Sequence, residues 1–126
     1  MARDVYEQAR DLLSELGGAD DDVMVAQGLR RDVLLVAGLL AAAADRDDAG
    51  REAAVTDGEV GAALGLFDTM REQLDRLETE VVFEARRRSM DWRQIAAHQG
   101  LNSSQAASQR YQRLVTRLEE IRQGVR

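Results

Sequence analysis

The chain has 126 residues, about one domain's worth, of which 44% are hydrophobic and 32% charged. That is apolar enough for a folded core and too mixed for a disordered tail. There is no proline, no cysteine and a single histidine, His98, which excludes disulfides, thiolate metal sites and cysteine nucleophiles and removes most other metal and acid–base constellations. The net charge of −6 is unevenly spread: residues 1–80 hold eight arginines against nineteen carboxylates, and residues 81–126 hold nine against four. An acidic first part and a basic last part predict two jobs in one chain, the basic one suited to phosphate. All 17 basic residues are arginine, the side chain suited to phosphates and base edges.

The first predicted helix spans Asp4 to Leu16, with Val5, Ala9, Leu12 and Leu16 on one face. Gly17-Gly18 ends it, glycine accepting the left-handed conformation past a helix end. Asp20-Asp21-Asp22 caps a second helix that is expected to run to about Ala44. Val25, Leu29, Val33, Val36 and Leu40 line it, and Leu34, Leu35 and Leu39 widen the stripe, so it must be buried on more than one side. Its apolar run, Val33 to Ala44, is too short to span a bilayer, and no signal peptide is visible before it. A soluble, cytoplasmic protein with no membrane partner is expected.

Asp45 to Val55 is mostly polar, holds Gly50 and reads as a connection with room for some helix. Thr56-Asp57-Gly58-Glu59 then fits a capping box opening a long third helix to about Arg88. Its apolar positions from Phe67 to Val81 step 3-4-3-4, a heptad pattern. Asp91, with Gln94 three places on, starts a short helix with Trp92, Ile95 and Ala96 on its apolar side. Gly100 turns the chain, Leu101 points back to the core, and Asn102 or Ser103 caps the last helix. That helix carries Ala107, Tyr111, Leu114, Leu118, Ile121 and Val125 on one stripe. Trp92 and Tyr111 read as core, His98 as surface, and Arg110 lies near the packed stripe.

Short helix, glycine turn and second helix, closed by Val82 to Arg88, form the helix-turn-helix arrangement. Counting 100° per residue from Ala107, the outward side chains are Gln105, Ser108, Gln109, Gln112 and Arg113, with Ser104 at the helix start. Glutamine can pair with adenine, serine reaches base edges or phosphate, and arginine takes guanine or phosphate. No carboxylate occurs from Trp92 to Leu118, as a surface facing phosphate requires.

The segment DWRQIAAHQGLNSSQAASQRYQRL resembles the helix-turn-helix of small actinobacterial DNA-binding proteins, including those named heat-shock-protein transcriptional regulators. Trp92, Ile95, Ala96, Gly100, Leu101, Ser103, Gln105, Ala106, Ala107, Arg110, Tyr111, Arg113 and Leu114 carry the likeness. The segment is more loosely similar to the last region of sigma factors and to Myb-like units. Gln99 departs from the pattern, which has a hydrophobic residue before the glycine. The resemblance covers under a fifth of the chain, and nothing comparable is seen in residues 1–80. It implies sequence-specific DNA binding and gene regulation.

The expected fold is therefore all-α: a helical dimerisation region over 1–80, joined by the long helix to a tri-helical helix-turn-helix unit over 81–126. The helix from Ser103 enters the major groove of double-stranded DNA, where Ser104, Gln105, Ser108, Gln109 and Gln112 read bases, while Arg86, Arg87, Arg88, Arg93 and Arg113 neutralise phosphates. A homodimer through residues 1–80 would supply paired units; the stripe from Tyr111 to Val125 is a second interface or simply core. Two alternatives stand beside this: a module docking on RNA polymerase or a sigma factor, and a nucleoid-associated protein with little sequence preference. Asp20 to Asp22 and Asp45, Asp47 and Asp48 read as capping and solvated residues, since no metal-ligand loop pattern accompanies them. Without a phosphate loop, a nucleotide glycine motif or paired catalytic carboxylates, neither enzyme activity nor a cofactor is expected.

Overall fold

The computed structural model describes residues 2–16, 24–49 and 55–124. Among them every regular element is helical: α1 (Ala2–Ser14), α2 (Met24–Ala49), α3 (Asp57–Arg87), α4 (Trp92–Gln99) and α5 (Ser104–Arg122). The expected all-α class is what the chain adopts. Gly17-Gly18, the Asp20 to Asp22 cap and Val125 lie outside the described residues.

Helix α2 continues to Ala49, five residues beyond the expected end and through the acidic stretch read as a connection. No glycine or proline occurs between Ala41 and Ala49, so nothing in the backbone forces an earlier stop. Helices α2 and α3 pack as an antiparallel hairpin. Gly28 faces Gln73, whose Nε2 lies 3.8 Å from where a Cβ would stand. At the other end Leu35, Leu39 and Ala42 line one groove with Glu59, Ala62, Ala63 and Leu66.

The start of α3 is the expected capping box. Glu59 N–H donates to Thr56 Oγ1 at 3.1 Å, and Thr56 N–H donates to Glu59 Oε1 at 2.8 Å. The helix runs unbroken through Gly61 and Gly65 for 31 residues, roughly 46 Å at 1.5 Å per residue. It thus serves as one wall of the hairpin and, further on, as one wall of the C-terminal unit.

Two turns of the same design bound α4. After α3, Ser89 N–H donates to Arg86 C=O (2.9 Å) and Met90 N–H to Ala85 C=O (3.0 Å). After α4, Gly100 N–H donates to Ala97 C=O (3.3 Å) and Leu101 N–H to Ala96 C=O (2.9 Å). Each is the 5→2 and 6→1 bond pair that satisfies orphan carbonyls at a helix end, and each needs a left-handed residue. Gly100 takes φ 74° at no steric cost, whereas Ser89 takes φ 67° with a side chain. Between them, Asp91 and Gln94 close a second capping box, both bonds at 2.8 Å. Ser103, not Asn102, caps α5, its Oγ accepting from Ala106 N–H at 3.1 Å.

These turns fold the chain end around Val82, Ile95, Ala96 and Ala107, which are buried together. Ala85, Met90, Trp92, Leu101 and Tyr111 pack around them, and the Trp92 and Tyr111 rings sit 5.7 Å apart. The small Ala96 and Ala107 let α4 and α5 approach. Helix α5 also lies along α3, held by a two-pronged Arg110–Glu78 ion pair at 2.5 and 2.8 Å and by Arg117–Asp75 at 3.3 Å.

Candidate nucleic-acid interface

Helix α5 has one face inside the protein and one outside. Ala107 and Leu114 are buried, and Tyr111, Leu118 and Ile121 are half-buried. The stripe from Tyr111 to Ile121 therefore packs toward the interior. On the opposite side Ser104, Gln105, Gln109, Gln112 and Arg113 are exposed and Ser108 is half-buried. The structure brings the six predicted base-edge and phosphate candidates of this helix onto one surface. Ser103 is exposed as well, but its Oγ already accepts from the helix backbone. Its hydroxyl hydrogen stays available to an acceptor such as a phosphate oxygen.

One member of this surface escaped the sequence reading. Thr116 is exposed and lines a furrow with Gln109, Gln112 and Arg113. Continuing the 100° count by one turn would have found it. The furrow ends at Glu120, one residue past Glu119, which closes the carboxylate-free stretch.

The four remaining arginine candidates are exposed at the other end of the unit. Arg93 sits in the first turn of α4. Arg86 crosses from α3 to the same place: its Nη1 donates to Met90 C=O at 3.0 Å, and its guanidinium lies 4.8 Å from the centre of the Trp92 ring. A cation over an aromatic face is attracted by the ring quadrupole. Arg86 therefore also helps close the α3–α4 turn.

Arg87 and Arg88 share one carboxylate, Glu84. Arg87 donates to both its oxygens, at 2.9 and 2.6 Å, and Arg88 Nε donates at 2.6 Å. These hydrogen bonds, Arg87's first and Arg88's second, hold the Glu84 carboxyl down at about 2 against an ordinary 4.5. The Arg87 guanidinium is correspondingly pushed up by Glu84. Two of the expected phosphate contacts thus start out engaged within the helix. The i+3 and i+4 spacing from Glu84 is a readable signal of that pairing.

Arg110, which the sequence places beside the packed stripe, is a staple between α5 and α3, and its hydrogen bonds to Glu78 raise its pKa. Gln99, where the family pattern has an apolar residue, turns its Nε2 to Glu78 Oε2 at 3.2 Å. The carboxylate on α3 thus satisfies the amide nitrogen, while the Gln99 Oε1 is buried without a hydrogen-bond partner.

His98 is exposed, at the rim of an apolar groove of about 690 Å³ beside α4 that also includes Val81, Ala85, Met90 and Leu101. Among the described residues no three His, Asp or Glu side chains are placed to hold a metal ion, and no helix is long and apolar enough to cross a membrane. No family model matches the chain, and no curated protein or solved structure is found to match it.

Proposed function

We propose that the protein is a sequence-specific DNA-binding regulator that works as a dimer. Its last three helical segments act as a helix-turn-helix, with α5 seated in the major groove. The observation that carries this reading is the two-sidedness of α5: an inner face packed on α3 and α4, and an outer face of amides, hydroxyls and one guanidinium with no carboxylate before Glu119. Such a face offers donors and acceptors to base edges without repelling phosphate.

In this mechanism Ser104, Gln105, Ser108, Gln109 and Gln112 contact bases. Arg113 and Arg93 reach the phosphates, along with Arg86, Arg87 and Arg88 at the end of α3. The acidic first eighty residues repel the duplex and so favour approach by the C-terminal end. One such unit makes a small contact, and specific affinity normally takes two, about 34 Å or a multiple apart. The uncovered apolar surface of α2 and α3 supports pairing through that region.

Selection of bound DNA from a random pool, followed by gel-shift at two salt concentrations, tests the reading. Enrichment of a two-fold symmetric motif with steep salt dependence is the expected result. Weak, uniform binding would point to a nucleoid role instead, and no binding at all to a protein-docking module.

A further inference from the structure

Along α3, positions 60, 64, 67, 71, 74, 78, 81 and 85 alternate steps of four and three, a continuous heptad seam. Four of its six apolar members are not spent inside the chain: Leu64 is 67% exposed, Leu74 54%, Val81 68% and Val60 43%. Ala85 packs partly on the C-terminal core, and Phe67 lies half-buried with the Arg71 guanidinium 5.6 Å from its ring centre. Two seam positions are charged, Arg71 and Glu78. Resting on the dimeric reading above, we propose that a second copy of this chain covers the seam, with the two α3 helices antiparallel.

Charge decides the direction. A parallel, in-register pair would stack Arg71 on Arg71 and Glu78 on Glu78 at buried positions, where like charges cost most. The antiparallel pair sets Leu64 against Val81 of the second copy and Val60 against its Ala85. Arg71 then lies beside the second copy's Leu74, within one helical turn of its Glu78. The seam keeps room for this: Arg71 is exposed, its nearest carboxylate being Asp68 at 3.7 Å, and Glu78 keeps about a quarter of its side chain open although Arg110 holds it.

The shape agrees with the charge. At Val81 and Ala85 the seam opens into the groove walled by Met90, Ile95 and Leu101. In the antiparallel register Val81 and Ala85 face Leu64 and Val60 of the second copy, and Glu78 at the edge of the groove faces its Phe67, so three apolar side chains line up along it. The two-fold axis uses the groove twice. The dimer seam therefore extends past residue 80 and rests against the C-terminal unit itself.

The chain lacks cysteine, so Leu64→Cys and Val81→Cys can be made singly and mixed. Oxidation of the mixture is expected to give disulfide-linked dimers containing one of each. Neither variant alone should cross-link, because the antiparallel axis keeps like residues about 25 Å apart. Self-linked Leu64→Cys would mean a parallel pair and overturn the proposal, as would no cross-link in the mixture. Leu74→Arg, which sets a second cation against Arg71 of the second copy, is expected to sediment as a monomer with unchanged helix content; a dimer of undiminished affinity would also overturn the proposal. The DNA reading is scored separately. A cross-linked dimer that selects no DNA sequence defeats that reading and leaves the seam standing, whereas a monomer that selects a motif does the reverse.

Discussion

The two ends of this molecule solve the burial problem differently. The C-terminal unit, built from the end of α3 with α4 and α5, closes a small core of Val82, Ile95, Ala96 and Ala107 on itself. The N-terminal hairpin leaves Val33, Leu34, Leu35, Leu40 and Leu64 in the open, and the apolar side chains Val5, Leu12, Leu13 and Leu16 of α1 and its following turn are equally bare. Several large apolar side chains left open together are what an interaction surface offers. The contrast teaches that one half of the chain is finished by local turns and caps, while the other leaves its apolar faces uncovered, as the proposed dimer requires.

The largest expected effect sharpens that contrast directly. Ile95→Ala removes a buried side chain from a closed core and should cost about 2–5 kcal/mol in denaturant titration. Leu34→Ala, on the open hairpin, should leave monomer stability within about 0.5 kcal/mol. Comparable losses from both would break the distinction. On the DNA side, Gln109→Ala should cost about 1–3 kcal/mol at a single base position, and Arg87→Ala should weaken all sequences alike and lower the salt slope by about 1. If both substitutions left binding to a selected site intact, the assignment of the outward face would be wrong.

Smaller effects separate the two α4 turns. Gly100→Ala should destabilise by about 1 kcal/mol, because φ and not space is limiting there. Ser89→Gly should stabilise by up to about 1 kcal/mol, relieving the same conformation. Thermal melts of the pair should move in opposite directions. The smallest effect is in acid. Glu84 titrates at about 2 when folded against 4.5 otherwise, so the stability it adds is complete above 4.5 and fades as pH falls from there toward 2. A carbon-detected NMR titration should place its midpoint near 2. Arg87→Ala should move it upward further than Arg88→Ala, in keeping with the order of the two contacts.

Much of the C-terminal unit was legible because its stops and starts are written in short-range chemistry. Asp91 with Gln94 and Gly100 with Leu101 each act over three to five residues, as Thr56 with Glu59 does at the start of α3, and each sits where the sequence places it. The Ser89 turn was not legible, since no glycine marks it and the bond pattern alone defines it. The end of α2 lies beyond the expected Ala44 because polarity alone marks a connection there, whereas none of the residues from Asp45 to Ala49 breaks a helix. On α5 the 100° count found every outward candidate except Thr116. Periodicity showed that α3 has a stripe but not that Leu74 and Val81 lie open while Met70 is buried. That depends on which neighbours α2 and α5 cover, a tertiary fact with no signature in spacing.

Helix α3 has one more consequence, because it passes without interruption from the hairpin into the C-terminal unit. A single continuous rod transmits angle as well as length. Each residue inserted midway would turn everything beyond it by about 100° and advance it by about 1.5 Å. The aim of the α5 outer face is thereby geared to the count of residues in α3, and only insertions close to a whole number of turns, such as seven or eleven residues, would roughly restore its phase.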